Sequence, residues 1–471
     1  MINRLELLGE SQLDMVHEAS LRVLEQTGVV FNFPKALEIF QEHGAKVDGK
    51  IVRISRNMVE SALKTSPARY TYRARNPKHT MEHGIGQKRL LVSPCYGSPF
   101  IAENGVERPG TSEDYIKLTR LVQACDPVTV TGGVLTDASD IPADRKELYT
   151  LYYAMKYSDK LLLSFTGTTE KINHMFRMAQ IAFEQGDELW NDYVMAVPIC
   201  PTSPLKYEQI AAESLIAYAE KGQPIYIVNC LMGGVTAPLT AVGTAVQQNV
   251  EFLAGLVLAQ LIHPGVPVTY VPGSTVGNMR TVSYANGSPE GNLCNVIGLQ
   301  LAYRYQVPNR VMAGITDSKV EDYQAGLETM QNALLLALAG AQFFHNGVGT
   351  LDSLMAMSLS KFVLDSECLD RVQRILSGVD FSEEDMCVDE IMELGHYGNH
   401  LMHDNTLMNF AECWRPTVSF MDPHLQWEQE GALDAKARAE KEAARLLAES
   451  PEEGVLAPEI DAKLKDYLAA L

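Results

Sequence analysis

Across 471 residues the chain is 46% hydrophobic and 21% charged. That is the balance of a folded globular protein with a sizeable core, and it excludes disorder as the main state. Lys and Arg number 39 against 59 Asp and Glu, a formal net charge of −20. A surface of that sign repels phosphate backbones and anionic lipid heads, and no basic patch stands out in the sequence to offset it, so neither nucleic acid nor a membrane surface is an expected partner.

The opening Met1-Ile2-Asn3-Arg4-Leu5-Glu6 has no apolar signal core, and Glu6 and Glu10 interrupt any export pattern. No stretch approaches about 18 uninterrupted apolar residues; the run around Leu334–Ala339 is far too short to cross a bilayer. Eight cysteines, at 95, 125, 200, 230, 294, 368, 387 and 413, are scattered without CxxC spacing. They suit reduced thiols, and the cytoplasm is the expected location.

The first segment, residues 1–85, reads as helices joined by short turns. Leu13, Val16, Ala19, Leu21 and Leu24 recur at helical spacing until Gly28, and the stretches Pro34–His43 and Arg56–Leu63 repeat the pattern. From about residue 86 to 350 the texture changes. Short apolar runs, each followed by a loop of small and polar residues, alternate with longer helical stretches. The runs are Leu90–Ser93, Val128–Gly132, Leu161–Phe165, Val194–Ile199, Ile225–Cys230, Val268–Val271, Val311–Ile315 and Ala341–His345. Their spacing is that of parallel strands joined by helical crossovers, and eight units over about 250 residues predict an α/β fold, a (β/α)8 TIM barrel. An open doubly wound sheet is the alternative, but no GxGxxG follows the first run. The last segment, residues 351–471, reads as helical, with a solvated charged helix over Ala435–Glu449 ended by Pro451.

Barrel enzymes carry their chemistry in the loops after the strands. Here those loops hold Ser93–Ser98, Gly132-Gly133, Phe165–Thr168, Cys200–Pro204, Asn229–Gly234, Pro272–Thr275, Thr316–Lys319 and Phe344–Gly347. The rim is rich in small neutral residues, with Asp317, Lys319 and His345 its conspicuous ionisable groups. It lacks the converging ligands of a metal hydrolase, so no bound metal is expected. Two weaker metal patterns remain. His396, His400 and His403 fall at i, i+4 and i+7, along one face if the segment is a helix, and Cys95, Cys200 and Cys230 all stand at strand ends. The commoner reading of the thiols is structural burial. His345 is a functional candidate whose alternative is a satisfied core histidine.

The run Gly314-Ile315-Thr316-Asp317-Ser318-Lys319, continued by Asp322, Gln324-Ala325-Gly326 and Glu328, resembles the trimethylamine methyltransferase family. So do Phe344-His345-Asn346, the Gly395-His396…His403 segment, Val52-Arg53-Ile54-Ser55 and Tyr70-x-Tyr72-Arg73-Ala74-Arg75-Asn76-Pro77. The likeness covers essentially the whole chain. It implies a TIM barrel that moves a methyl group from a methylated amine to the cobalt of a corrinoid carried by a separate protein. The founding members carry pyrrolysine, whereas this chain has only standard residues. That departure implies the branch acting on quaternary amines such as glycine betaine, proline betaine or carnitine.

On that reading Asp317 and His345 are the expected catalytic residues. Tyr96, Phe165 and Phe344 are candidates for a cation-binding aromatic wall, although each also suits core packing. His345, Asn346 and Asn229 are candidate donors to a substrate carboxylate, with His345 more effective when protonated. Gln324 joins the substrate set through the family motif, and Asp317 either faces the cation or caps the helix that follows. The rim glycines Gly133, Gly233 and Gly273 are assigned to the approach of the corrinoid. Partners are then the corrinoid protein at the barrel mouth and a small amine, with a homo-oligomer expected. Two rival readings stand beside this one: a zinc-dependent barrel methyltransferase or hydrolase using the cysteines or histidines, and a non-catalytic betaine-binding or corrinoid-protein scaffold.

Overall fold

All eight apolar runs become strands in the computed structural model, which describes residues 4–103 and 105–471. They are β1 (Leu91–Val92), β2 (Val130–Gly132), β3 (Leu161–Leu163), β4 (Met195–Ile199), β5 (Ile225–Asn229), β6 (Val268–Pro272), β7 (Val311–Met312) and β8 (Phe343–His345). Every residue in them is buried, as parallel strands covered on both faces require. Strands β2 to β6 pair in parallel in chain order, and β7, β8 and β1 form a second parallel set. Backbone hydrogen bonds run between the two sets on both sides. Thr129 N donates to Val92 O at 3.0 Å, and Arg310 N donates to Tyr270 O at 3.0 Å.

A helix follows each strand, from Ser112–Ala124 after β1 to Leu359–Leu376 after β8. The sequence starts them with side-chain caps. Thr111, Thr168, Thr240, Ser288, Asp322 and Ser358 each accept a backbone N–H of the first turn. The helix Ala241–Ile262 is long and apolar enough to cross a bilayer by length and composition, yet 78% of its apolar window is buried inside the protein.

The strands separate two cores. Ile225 and Ile227 of β5 join the large outer core against the helices, while Tyr226 and Val228 join an inner cluster with Leu91, Val130, Leu163, Val271 and Phe343. Tyr70 and Tyr72, from the hairpin Arg69–Tyr72/Met81–Gly84, complete the inner cluster. That hairpin crosses the end where strands begin: Arg73 N donates to Tyr193 O, just ahead of β4, and Asn76 N to Asp159 O, ahead of β3. The opposite end, where strands finish, is left to loops.

The N-terminal segment has the three expected helices, Glu10–Gln26, Pro34–Glu42 and Arg56–Thr65. It also has strands that a purely helical reading misses. Val29–Phe31, Lys46–Asp48 and Ile51–Arg53 form a small sheet with Lys206–Tyr207. Three-residue strands are too short to display a period of two, so only their β-branched content marked them. In the C-terminal segment the helix Ala435–Glu449 stands as expected. The three histidines do not share a helix. Gly395, at φ 54°, ends the helix Val388–Leu394, and His400 lies in a separate short turn of 3₁₀ helix. His400 and His403 both bond Glu390, at 2.6 and 3.1 Å.

Candidate active site

Inside the inner cluster, toward the loop end, lies a group that apolar patterning passed over. Arg310 immediately precedes β7 and its side chain has no exposed surface. The guanidinium sits 4.7 Å from the ring centroid of Phe343 and 5.1 Å from that of Tyr226, a cation held between aromatic faces. Its Nη2 donates to His345 Nδ1 and reaches Ser93 Oγ at 3.4 Å, while Nε and Nη1 have no partner. Burial pulls its pKa down to about 10, so it remains a cation at neutral pH. Among the described residues no carboxylate lies within ion-pair distance of it. A buried, uncompensated charge with free donors is costly.

Because Arg310 has only donors, His345 Nδ1 must accept, and the ring proton sits on Nε2. Burial and then the Arg310 charge push the His345 pKa well below the usual 6.5. The protonated imidazole expected at this position is therefore corrected to a neutral one, because a cation already stands beside it. His345 is also buried, and its ring lies 5.8 Å from that of Tyr96.

Tyr96 is half-buried and its ring packs over Gly133, where an added Cβ would meet it at 2.6 Å. Gly133 has φ +71°, so both its backbone and its bareness serve the tyrosine. Asn346 Oδ1 accepts the Tyr96 backbone N–H at 2.7 Å, which makes Asn346 a clamp on this loop. Cys200, just after β4, is exposed as a residue, and burial of its thiol by the surrounding protein raises its pKa to about 11. Cys230 is half-buried nearby, and Tyr284 donates its hydroxyl to Cys230 O at 2.8 Å.

The other expected site residues have surroundings of their own. Phe344 is fully buried in the outer core; its neighbour Phe343 takes the inward position, since adjacent strand residues face opposite ways. Phe165 is also in the outer core, and Asn229 is fully buried with both side-chain polar atoms unpartnered. Asp317 accepts the backbone N–H groups of Asn286 and Gly287, both at 3.0 Å, and the Ser353 hydroxyl. It ties two rim loops together and caps no helix; Asp322 caps Tyr323–Leu338. Gln324 is exposed and bonds Glu328, which in turn accepts Thr316 Oγ1 at 2.6 Å and Asp317 N at 2.8 Å. The family-like run thus builds the frame of a rim loop. Gly273 and Gly233 face packed atoms, with Met312 Cε and Thr244 Oγ1 at 2.5 and 3.2 Å from an added Cβ.

Cys95 bonds Ser98 Oγ at 2.9 Å and belongs to the outer core, apart from Cys230 at the inner cluster. Among the described residues no three His, Cys, Asp or Glu side chains are placed to hold a metal ion.

The trimethylamine methyltransferase (MTTB) family model matches residues 1–470. The chain belongs to this family. It is 36% identical over 471 residues to glycine betaine methyltransferase of Desulfitobacterium hafniense (strain Y51), covering 100% of this chain and 98% of that protein. It is 31% identical over 470 residues to proline betaine:corrinoid methyltransferase of Eubacterium limosum, covering 97% and 95%. The crystal structure of the Methanosarcina barkeri monomethylamine methyltransferase matches with a TM-score of 0.53 at 12% identity, over 94% of this chain and 89% of that one. At that identity the likeness speaks for the fold alone.

The sequence did hold one signal for the missed centre. Asn309-Arg310-Val311-Met312-Ala313 places an arginine at the inward register of an apolar strand, and a charge there needs a reason. Tyr226 and Tyr284 carried no comparable signal.

Proposed function

We propose that the chain transfers a methyl group from a carboxylated quaternary amine, a betaine, to the cobalt of a corrinoid carried by a separate protein, and does so with standard residues alone. The observation that carries this reading is Arg310: a cation sealed among aromatic rings with two unpartnered donors. A substrate carboxylate would take a charge-assisted hydrogen bond from one of these donors, which lie on different edges of the guanidinium. Relatives named for glycine betaine and proline betaine support the same substrate class.

We read the eight strands as closing into a (β/α)8 barrel over residues 86–350, flanked by the 1–85 and 351–471 segments; the backbone bonds at Val92–Thr129 and Tyr270–Arg310 support closure. The carboxylate then lies deep on Arg310, and the trimethylammonium group points outward past Tyr96, Tyr284 and Cys200 toward the mouth. Aromatic faces hold such a cation for about 0.5–2 kcal/mol each. The reduced cobalt of the partner supplies the nucleophile. An N-methyl carbon would accept the nucleophile's electron pair on the side opposite nitrogen as its C–N bond breaks, and nitrogen would keep the C–N pair and leave as a neutral tertiary amine. No proton moves, so no general acid is needed. The neutral His345 and the high-pKa thiols of Cys200 and Cys230 fit that requirement. What this chain contributes is orientation and exclusion of water. His345 holds Arg310 and its Nε2–H is a further donor, while Asp317 acts by fixing the rim. Free thiols fit a reducing cytoplasm.

The test is a panel of glycine betaine, proline betaine, carnitine, choline and trimethylamine with reduced cobalamin, followed by the spectrum of methylcobalamin. Turnover confined to carboxylated quaternary amines is expected. Equal turnover of choline would overturn the role given to Arg310.

A further inference from the structure

The hairpin that crosses the end where strands begin carries a buried histidine that the proposed chemistry does not use. His83 has no exposed surface, and both its ring nitrogens have partners. Nε2 lies 3.1 Å from Asn309 O, and Nδ1 lies 3.0 Å from the Tyr70 hydroxyl. Tyr70 and His83 stand directly opposite each other in the antiparallel register of Arg69–Tyr72 and Met81–Gly84, so their side chains leave the hairpin on one face. Tyr70 belongs to the inner cluster, and its hydroxyl lies 3.0 Å from that of Tyr226.

The direction of every proton in this row follows from one fixed end. A carbonyl only accepts, so the His83 proton sits on Nε2 and Nδ1 must accept. Burial pulls the His83 pKa down to about 4, so the ring carries no second proton at neutral pH. Tyr70 therefore donates to His83, its oxygen is left to accept, and Tyr226 donates to Tyr70. The Tyr226 hydroxyl is thereby tied to the hairpin, and a phenol that gives its proton away is polarised toward a richer ring. The Arg310 guanidinium rests on that ring, 5.1 Å from its centroid.

His83 meets the other supports of Arg310 as well. Its ring is edge-on to Phe343, the second face on the guanidinium, with centroids 5.7 Å apart. The carbonyl it bonds belongs to the peptide that joins Asn309 to Arg310, whose N–H donates to Tyr270 O at 3.0 Å. One histidine thus bears on the backbone and on both aromatic walls of the arginine. The hairpin itself has other anchors. Tyr72 is equally buried, accepts Ala196 N at 3.2 Å and donates to Leu162 O, and Arg73 N and Asn76 N bond Tyr193 and Asp159. Those bonds hold the hairpin; the row from His83 to Tyr226 ends on Arg310.

We propose that Tyr70 and His83 are positioning residues: through Tyr226, Phe343 and the Asn309 carbonyl they hold the Arg310 guanidinium where a betaine carboxylate meets it. The proposal rests on the carboxylate-binding role given to Arg310 above. Glycine betaine binding to the full chain, measured by calorimetry without any corrinoid, tests it beside kcat with reduced cobalamin and a thermal melt. Tyr70→Phe keeps the ring and leaves the Tyr226 hydroxyl without its acceptor. Betaine should bind about tenfold more weakly, with kcat at saturating betaine within about twofold of wild type, because no member of the row touches the reacting atoms. Tyr226→Phe keeps the ring under Arg310 and removes the donor; it should weaken binding in the same direction, and it serves if Tyr70→Phe does not fold. Tyr72→Phe, on the same hairpin but outside the row, should lower the melting temperature and leave betaine affinity unchanged. Added to Arg310→Met, Tyr70→Phe should weaken betaine no further. Unchanged affinity in either folded row variant, an equal loss in Tyr72→Phe, or additive losses in the double variant would overturn the proposal while leaving Arg310 as the carboxylate site. Undiminished affinity in Arg310→Met alone would instead overturn the role of Arg310, and the positioning role with it.

Discussion

Replacing Arg310 with Met separates binding from stability with opposite signs. The substitution keeps an unbranched side chain of similar length and removes the charge. On the proposed reading it deletes a charge-assisted hydrogen bond to the substrate, from Nε or Nη1, which have no protein partner. At about 1.5–3 kcal/mol, the loss is roughly a ten- to hundredfold fall in kcat/KM for glycine betaine. Stability should move the other way. Arg310 is fully buried and meets no carboxylate, so its removal relieves an uncompensated charge, and replacing buried ionic groups by apolar ones of similar volume is often neutral or stabilising. Its bonds to His345 and Ser93 are lost, but neither partner was a carboxylate. The assay is methylcobalamin formation at several betaine concentrations, beside a thermal melt. A variant that melts at or above the wild-type temperature while losing betaine turnover is expected. Full activity in a stable variant would refute the assignment; a fall of more than about 3 kcal/mol in stability would show that the guanidinium is a structural tie.

Three further outcomes follow from the site. His345 has a folded pKa below its usual 6.5, so the folded state binds fewer protons than the unfolded one; its contribution is complete above about pH 6.5 and lost as pH falls. His345→Gln should therefore flatten the drop in Tm between pH 7 and pH 5, and an unchanged slope would show that the imidazole is not held neutral. Gly133→Ala sets a Cβ into the Tyr96 ring at a φ of +71°; we expect a loss of about 1–3 kcal/mol in stability and of most activity, and a fully active variant would remove Tyr96 from the site. Because the Cys200 thiol is raised to about 11, its alkylation by iodoacetamide should climb about tenfold per pH unit from 7 to 9 and slow when glycine betaine is present, whereas an early plateau or no protection would place Cys200 outside the pocket.

The strands were legible because burial on both faces writes continuous apolar runs. What the loops could not give was direction. Phe344 and Phe343 are adjacent, and one residue of register decides which meets the cation. Asp317 and Gln324 stand in a run whose likeness to the family is clear, yet both serve the rim frame through Asn286, Gly287 and Glu328. Family-like runs mark what a fold needs as readily as what a reaction needs. Arg310 lies one residue ahead of the apolar run Val311–Ile315, and its place in the inward register is the informative fact.

On the proposed reading, specificity follows from the sign of the buried charge. A guanidinium held with free donors in an aromatic enclosure repels any bare cation that enters, so a methylated ammonium is accepted only if it carries its own anion to stand between the two charges. A betaine does; choline and protonated trimethylamine do not. Rejection then combines a lost hydrogen bond with like-charge repulsion in a site of low dielectric, a stronger filter than pocket size alone. Arg310→Met removes both parts of the filter together. We therefore expect the ratio of betaine to choline turnover to fall at least about tenfold, partly through a gain for choline. If choline turnover instead falls in step with that of betaine, the charge is not what selects the substrate.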